Sequence, residues 1–175
     1  MRRVFVAFLA VTMGLLGFST VPADAASVTY FSNAVSGPFT GTSVFDAESS
    51  CALFHQVYDA TYTDKHGNLG SVDLDGCVTI GAGTTFEFAG TFKLATAHRA
   101  MLRGTVSGTV STSTATGCGN LSPAGLDFTL VLAQGNRGFR DLDGTIHLQG
   151  VWCSPAAPDV SGPISGQLTG DMSAA

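Results

Sequence analysis

The sequence predicts an all-β protein: a single antiparallel β-barrel of about eight strands, with no substantial helix after an N-terminal leader. Three observations lead there. Apolar residues alternate with polar ones instead of recurring every three or four positions. These alternating runs occupy 39–47, 51–63, 70–80, 84–96, 101–112, 126–134, 143–152 and 161–170. Turn-forming clusters separate them, such as Asp64-Lys65-His66-Gly67-Asn68, Gly81-Ala82-Gly83 and Gln134-Gly135-Asn136. Closing such a sheet on itself removes its exposed edges.

The leader comes first. Arg2 and Arg3 precede an apolar run over 4–18, and Ala23-Asp24-Ala25 has the small-x-small form of a signal-peptidase site. The expectation is a signal peptide over residues 1–25, cleaved after Ala25, and one secreted extracellular domain over 26–175. The apolar run is shorter than the ~20 residues a bilayer requires, so no membrane span is expected in the mature chain. With Arg2, Arg3 and Asp24 left out, 6 basic and 12 acidic residues remain, which argues against a nucleic-acid partner. Cys51, Cys77, Cys118 and Cys153 are an even set in an exported chain and read as two disulfides. Of the three connectivities, the sequential one is favoured, Cys51–Cys77 with Cys118–Cys153. No Cys-x-x-Cys pair is present and the cysteines stand at least 26 positions apart, so neither zinc nor any other metal or cofactor is expected.

Alternation assigns faces to the strands. The run 70–80 sends Val72, Leu74, Val78 and Ile80 inward and Asp73, Asp75 and Cys77 outward. The run 84–96 sends in Phe86, Phe88, Phe92 and Leu94, and 101–110 sends in Leu102, Val106 and Val110. Farther on, Leu126, Phe128, Leu130 and Leu132 share one phase, as do Ile146, Leu148 and Trp152. The run 51–63 is apolar on both faces. Bridged cysteines on neighbouring strands must share a face, so an outward Cys77 places Cys51 outward with Leu53, His55, Val57 and Asp59. Phe54, Gln56, Tyr58 and Tyr62 then point in. Glycine recurs inside the strands, in "FEFAGTF" (86–92), "LRGTVSGTV" (102–110), "LDGTIHLQG" (142–150) and "ISGQLTG" (164–170), as bends in a curling sheet require.

The leader, the segment "CALFHQVYDATYTDKHGNLGSVDLDGCV" (51–78) and the glycine-punctuated hairpins together resemble the small secreted bacterial members of the allene oxide cyclase barrel group, related to dirigent proteins. The resemblance covers most of 37–170 and implies an eight-stranded barrel with an apolar interior. Characterised relatives include cyclases and proteins that steer the coupling of small apolar molecules. No catalytic residue of that group matches a position here, so the catalytic residues are unknown. Calycin-like barrels of the avidin and lipocalin kind share the "G-T-F…L-x-G-T" rhythm and are the rival assignment.

The tetrapeptide Asp-Leu-Asp-Gly occurs twice, at 73–76 and 141–144. A calcium loop needs more ligands in closer order, and paired catalytic carboxylates need a protected cavity. Both pairs are expected on the outer face, as a way of beginning a strand. His55, His98 and His147 fall on outward phases or in a turn. Asn120-Leu121-Ser122 fits a glycosylation sequon in a loop, and no Gly-x-Ser-x-Gly elbow is present. The candidate ligand-binding residues are therefore interior: Gln56, Tyr58, Tyr62, Phe88 and Trp152. Alternation leaves open whether the barrel is filled solid or keeps a pocket. The expected function is binding of a small apolar molecule or an extracellular partner without chemistry. The alternative is an isomerase or cyclase acting by shape, with Tyr58, Gln56 and Glu48 polarising its substrate.

Overall fold

The computed structural model describes residues 23–46, 50–112, 118–154 and 161–175. Eight strands follow one another where the alternation places them: β1 (Gly37–Asp46), β2 (Phe54–Thr63), β3 (Leu69–Ile80), β4 (Thr85–Ala95), β5 (Met101–Thr112), β6 (Ser122–Gly135), β7 (Leu142–Ser154) and β8 (Gly162–Ala174). Each pairs antiparallel with the next, and β8 pairs back on β1, so the sheet closes into a barrel. The closing seam runs in register from Gly37↔Leu168 to Ser43↔Gly162. β6 and β8 extend beyond their alternating cores. The added stretches, Ser122–Gly125 and Asp171–Ala174, lie outside the alternating runs, yet in a closed barrel they find partners, as Pro123 does opposite Cys153 and Met172 opposite Gly144.

The apolar phase faces in. Leu74, Phe88, Leu94, Leu102, Phe128 and Leu148 are all buried, while their polar neighbours Asp73, Glu87, Lys93, Arg103, Asp127 and Gln149 lie outside. That is the reverse of an outer-membrane barrel, which is polar inside and apolar towards lipid. No helix among the described residues is long and apolar enough to cross a membrane. One inward assignment is corrected: Ile80 is 74% exposed. It keeps the inward phase, but β3 ends there, beyond the last layer of facing side chains.

Glycines and aromatic rings share the narrow interior. Phe92 pairs across β4–β5 with Gly104, and a Cβ on Gly104 would strike the Phe92 ring. Phe128 stands in the same relation to Gly108, and Phe39 to Gly166. A ring laid over a neighbouring glycine fills space that two side chains could not share. In mid-barrel Tyr58, Phe88 and Phe128 pack together, with ring centroids 5.0–5.4 Å apart.

One element adds to the all-β expectation, a short helix α1 (Ala23–Ala34) ahead of β1. A three-ten turn, Arg137–Phe139, joins β6 to β7. The expected leader lies outside the described residues up to residue 22; Ala23, Asp24 and Ala25 begin α1.

Candidate ligand-binding site

The two ends of the barrel are built differently. At the end where β2 turns into β3, β4 into β5 and β6 into β7, α1 lies across the opening. Its attachments are hydrogen bonds and apolar contacts together. The Met172 N–H donates to Ser32 Oγ (3.1 Å), and the Gly170 N–H to Ser36 Oγ (2.8 Å). The Lys65 N–H donates to the Asn33 carbonyl (3.2 Å) and the Tyr62 hydroxyl to that of Ala34 (3.0 Å). Phe31 stacks edge-on against Phe139 at 4.6 Å, and Val35 is fully buried. This end is sealed.

At the opposite end both disulfides tie a connection to the adjacent wall. Cys51, just ahead of β2, bonds Cys77 in β3, and Cys118, ahead of β6, bonds Cys153 in β7, with Cα atoms 5.4 and 5.3 Å apart. This is the sequential pairing expected from the sequence. Two bridges fit an extracellular or otherwise oxidising environment.

Between the stapled rim and the aromatic layer of Tyr58, Phe88 and Phe128 lies a cavity of about 330 Å³. Phe54, Val78, Phe86, Val110, Ala124 and Trp152 form its apolar walls, and Ser111, Ser122 and Ser154 stand among its remaining lining residues. Phe86, 40% exposed, belongs to the inward phase and sits at the mouth. No charged side chain lines the cavity among the described residues.

The Gln56 side chain reaches this space from β2 and is 1% exposed. Neither its Nε2 nor its Oε1 has a hydrogen-bond partner among the described residues. The same holds for Trp152 Nε1, in the cavity wall, and for the Tyr58 hydroxyl one inward position below Gln56. Burial pushes the Tyr58 hydroxyl well above its ordinary pKa, so it stays protonated and neutral. Buried polar atoms normally have partners, and unpaired ones in a native fold call for an explanation.

Of the five candidate residues, the structure brings four to this region. Gln56 and Trp152 line the cavity, while Tyr58 and Phe88 lie in the layer below it. Tyr62 is elsewhere, bonded to α1 at the sealed end. The sequence reading had Phe54, Val78 and Val110 inward without assigning them to a site. Ser122, Pro123, Ala124 and Ser154 escaped it because they lie beyond the runs 126–134 and 143–152, and Ser111 because it falls on the polar phase of 101–112. Glu48 lies outside the described residues.

The Asp-Leu-Asp-Gly copies are not equivalent. In both, the Asp residues are exposed and Leu turns inward. The second copy does begin a strand, β7, but the first sits in the middle of β3, a correction to the shared reading. There Gly76 is needed for its bareness, because a Cβ would strike the backbone of Ala89 and Gly90. Asp75 instead pairs with His55 on the outer face, Oδ1 to Nε2 at 2.8 Å. His147 lies outside on β7 and His98 in the β4–β5 turn. No three His, Cys, Asp or Glu side chains gather as metal ligands among the described residues. What the arrangement can do chemically is enclose an apolar body against a few neutral hydrogen-bonding groups. No family model, curated protein or solved structure matches this chain.

Proposed function

We propose that the protein is a secreted carrier that holds a small apolar molecule in the cavity at the open end of its barrel. The cavity carries the reading: about 330 Å³, walled by apolar side chains, uncharged among the described residues and closed below by aromatic rings. That volume falls at the lower end of the range for small-molecule sites, and an apolar concavity with a few neutral polar groups is their ordinary form. The mouth is the disulfide-stapled end, which holds the rim in shape without ligand. Export is supported by the two bridges and by the helix. Cleavage after Ala25 falls before Val28 and Phe31, α1 residues packed on the core, and so leaves both in place. A chain collected from the medium of a secreting host begins at Ala26 on this reading, and N-terminal sequencing checks it.

The binding test uses N-phenylnaphthylamine, a neutral apolar fluorophore. The oxidised protein is expected to take it up at one saturable site. Ala124→Phe, which puts a ring into the cavity, is expected to abolish uptake with an unchanged circular dichroism spectrum. Equal uptake by the variant, or none by the parent, refutes the carrier reading.

A second reading, an isomerase or cyclase of the allene oxide cyclase or dirigent type, draws on the unpaired Gln56 and Tyr58 groups. Such groups can polarise a substrate that the cavity holds in a reactive conformation. Turnover that disappears in Tyr58→Phe while probe uptake persists would select it over the carrier.

A further inference from the structure

We infer that the cavity selects an uncharged molecule presenting a hydrogen-bond-accepting oxygen (a ketone, ester or alcohol) and rejects the carboxylate of the same skeleton. The inference rests on the binding reading above and gives it a ligand chemistry. Its basis is where the unpaired polar atoms lie. Gln56 and Tyr58 are on β2; Ser43, fully buried, is paired with Tyr58 on β1. Ser43 is also in register with Gly162 on β8, whose carbonyl accepts its hydroxyl at 3.4 Å. Trp152, on β7, holds its Nε1 against Gly162, where a Cβ would crowd it. The strands β7, β8, β1 and β2 are consecutive around the closed barrel. The unpaired polar groups therefore share one half of the wall, while Val78, Phe86, Val110 and Ala124 on β3 to β6 face them with hydrocarbon, interrupted only by Ser111 and Ser122 among the described residues. The buried unpaired groups are thus gathered on one side of the barrel.

That side is rich in donors. The Gln56 amide, the Tyr58 hydroxyl and the Trp152 indole together offer more donor hydrogens than acceptor oxygens. An accepting oxygen on the ligand would satisfy groups that otherwise stay buried and unpaired at a cost. A carboxylate also accepts, but it would surrender its hydration in an apolar chamber with no cation among the described lining residues. Neutral oxygen is the better match.

Three probes of one skeleton test this: methyl naphthyl ketone, ethylnaphthalene and naphthylacetate at neutral pH. Affinities come from calorimetry, and contact from the indole N–H resonance of Trp152, the chain's one tryptophan. The ketone is expected to bind about tenfold more tightly than ethylnaphthalene and to move the indole signal downfield. The carboxylate is expected to bind at least about tenfold more weakly than the ketone. Gln56→Met, of similar volume but apolar, should cut the ketone's advantage over ethylnaphthalene several-fold. A ketone no tighter than ethylnaphthalene, or a carboxylate tightest of all, overturns the selectivity but leaves the binding reading standing, since the hydrocarbon still occupies the cavity. If none of the three binds, the carrier reading falls and this inference with it.

Discussion

Asp73 shows how much a single side chain can reveal about a wall. It stands opposite Asp59 on β2 and Lys93 on β4. Partial burial, and then the Asp59 charge, raise its carboxyl above the ordinary pKa, with Lys93 opposing. A carboxyl with a raised folded-state pKa binds its proton more tightly in the native state. The resulting penalty is absent below the unfolded pKa and complete above the folded one. Asp73→Asn is therefore expected to raise stability at neutral pH, by about 0.5 kcal/mol or less given solvent screening. The gain should shrink as pH falls through the carboxylate range, and urea midpoints measured across pH check both. The outward position of Asp73 was legible from alternation alone, and the inward positions of Gln56 and Tyr58 from alternation joined to the Cys51–Cys77 pairing. That Gln56 and Tyr58 have no partner was not, because alternation gives a direction and says nothing about what stands across the barrel. Nor could it show that the inward Tyr62 hydroxyl donates to a helix carbonyl, that of Ala34.

The strands were legible as elements because period-two alternation survives on a sheet with one buried face. Their ends were not, since Pro123 and the Ser- and Gly-rich termini take their order from neighbours distant in sequence. α1 left no such trace. Its core, Val28-Thr29-Tyr30-Phe31, is made of residues that favour strands over helices. The helix exists because it is docked, through Ser32, Ser36, Phe31 and Val35, on a barrel end that would otherwise stay open. The β3–β4 pair carries a sharper constraint. A Cβ on Gly90 would collide with the carbonyl of Asp75 and with Gly76, and backbone cannot rotate away as a side chain can. Gly90→Ala is expected to cost about 3 kcal/mol by prying these strands apart. Gly67→Ala, in an open turn at φ 82° with nothing near its Cβ, should cost only roughly 1 kcal/mol, for the left-handed backbone. Parallel denaturation curves separate a clash from a conformational preference.

At the scale of the whole molecule the barrel is asymmetric, non-covalently sealed at one end and covalently braced at the other. The bridge between Cys118 and Cys153 closes a loop with a separation of 35 residues, and loop-closure entropy assigns it about 4 kcal/mol. The Cys118→Ser/Cys153→Ser double variant should lose stability on that scale. It should also lose probe binding at denaturant concentrations where the strands remain folded, because the brace lies at the mouth; fluorescence and circular dichroism read side by side test this. Barrel closure and cysteine pairing were visible in the sequence, whereas the cavity depended on how rings and glycines divide the interior. The seam between β1 and β8 carries one more consequence. Each of the first seven strands pairs with its successor, so seven of the eight pairings join strands adjacent in sequence. The eighth joins Phe39 to Gly166 across nearly the whole chain, and α1 docks on that same last strand. Closing that seam spans the largest sequence separation in the sheet, so barrel closure and the docking of α1 both depend on β8.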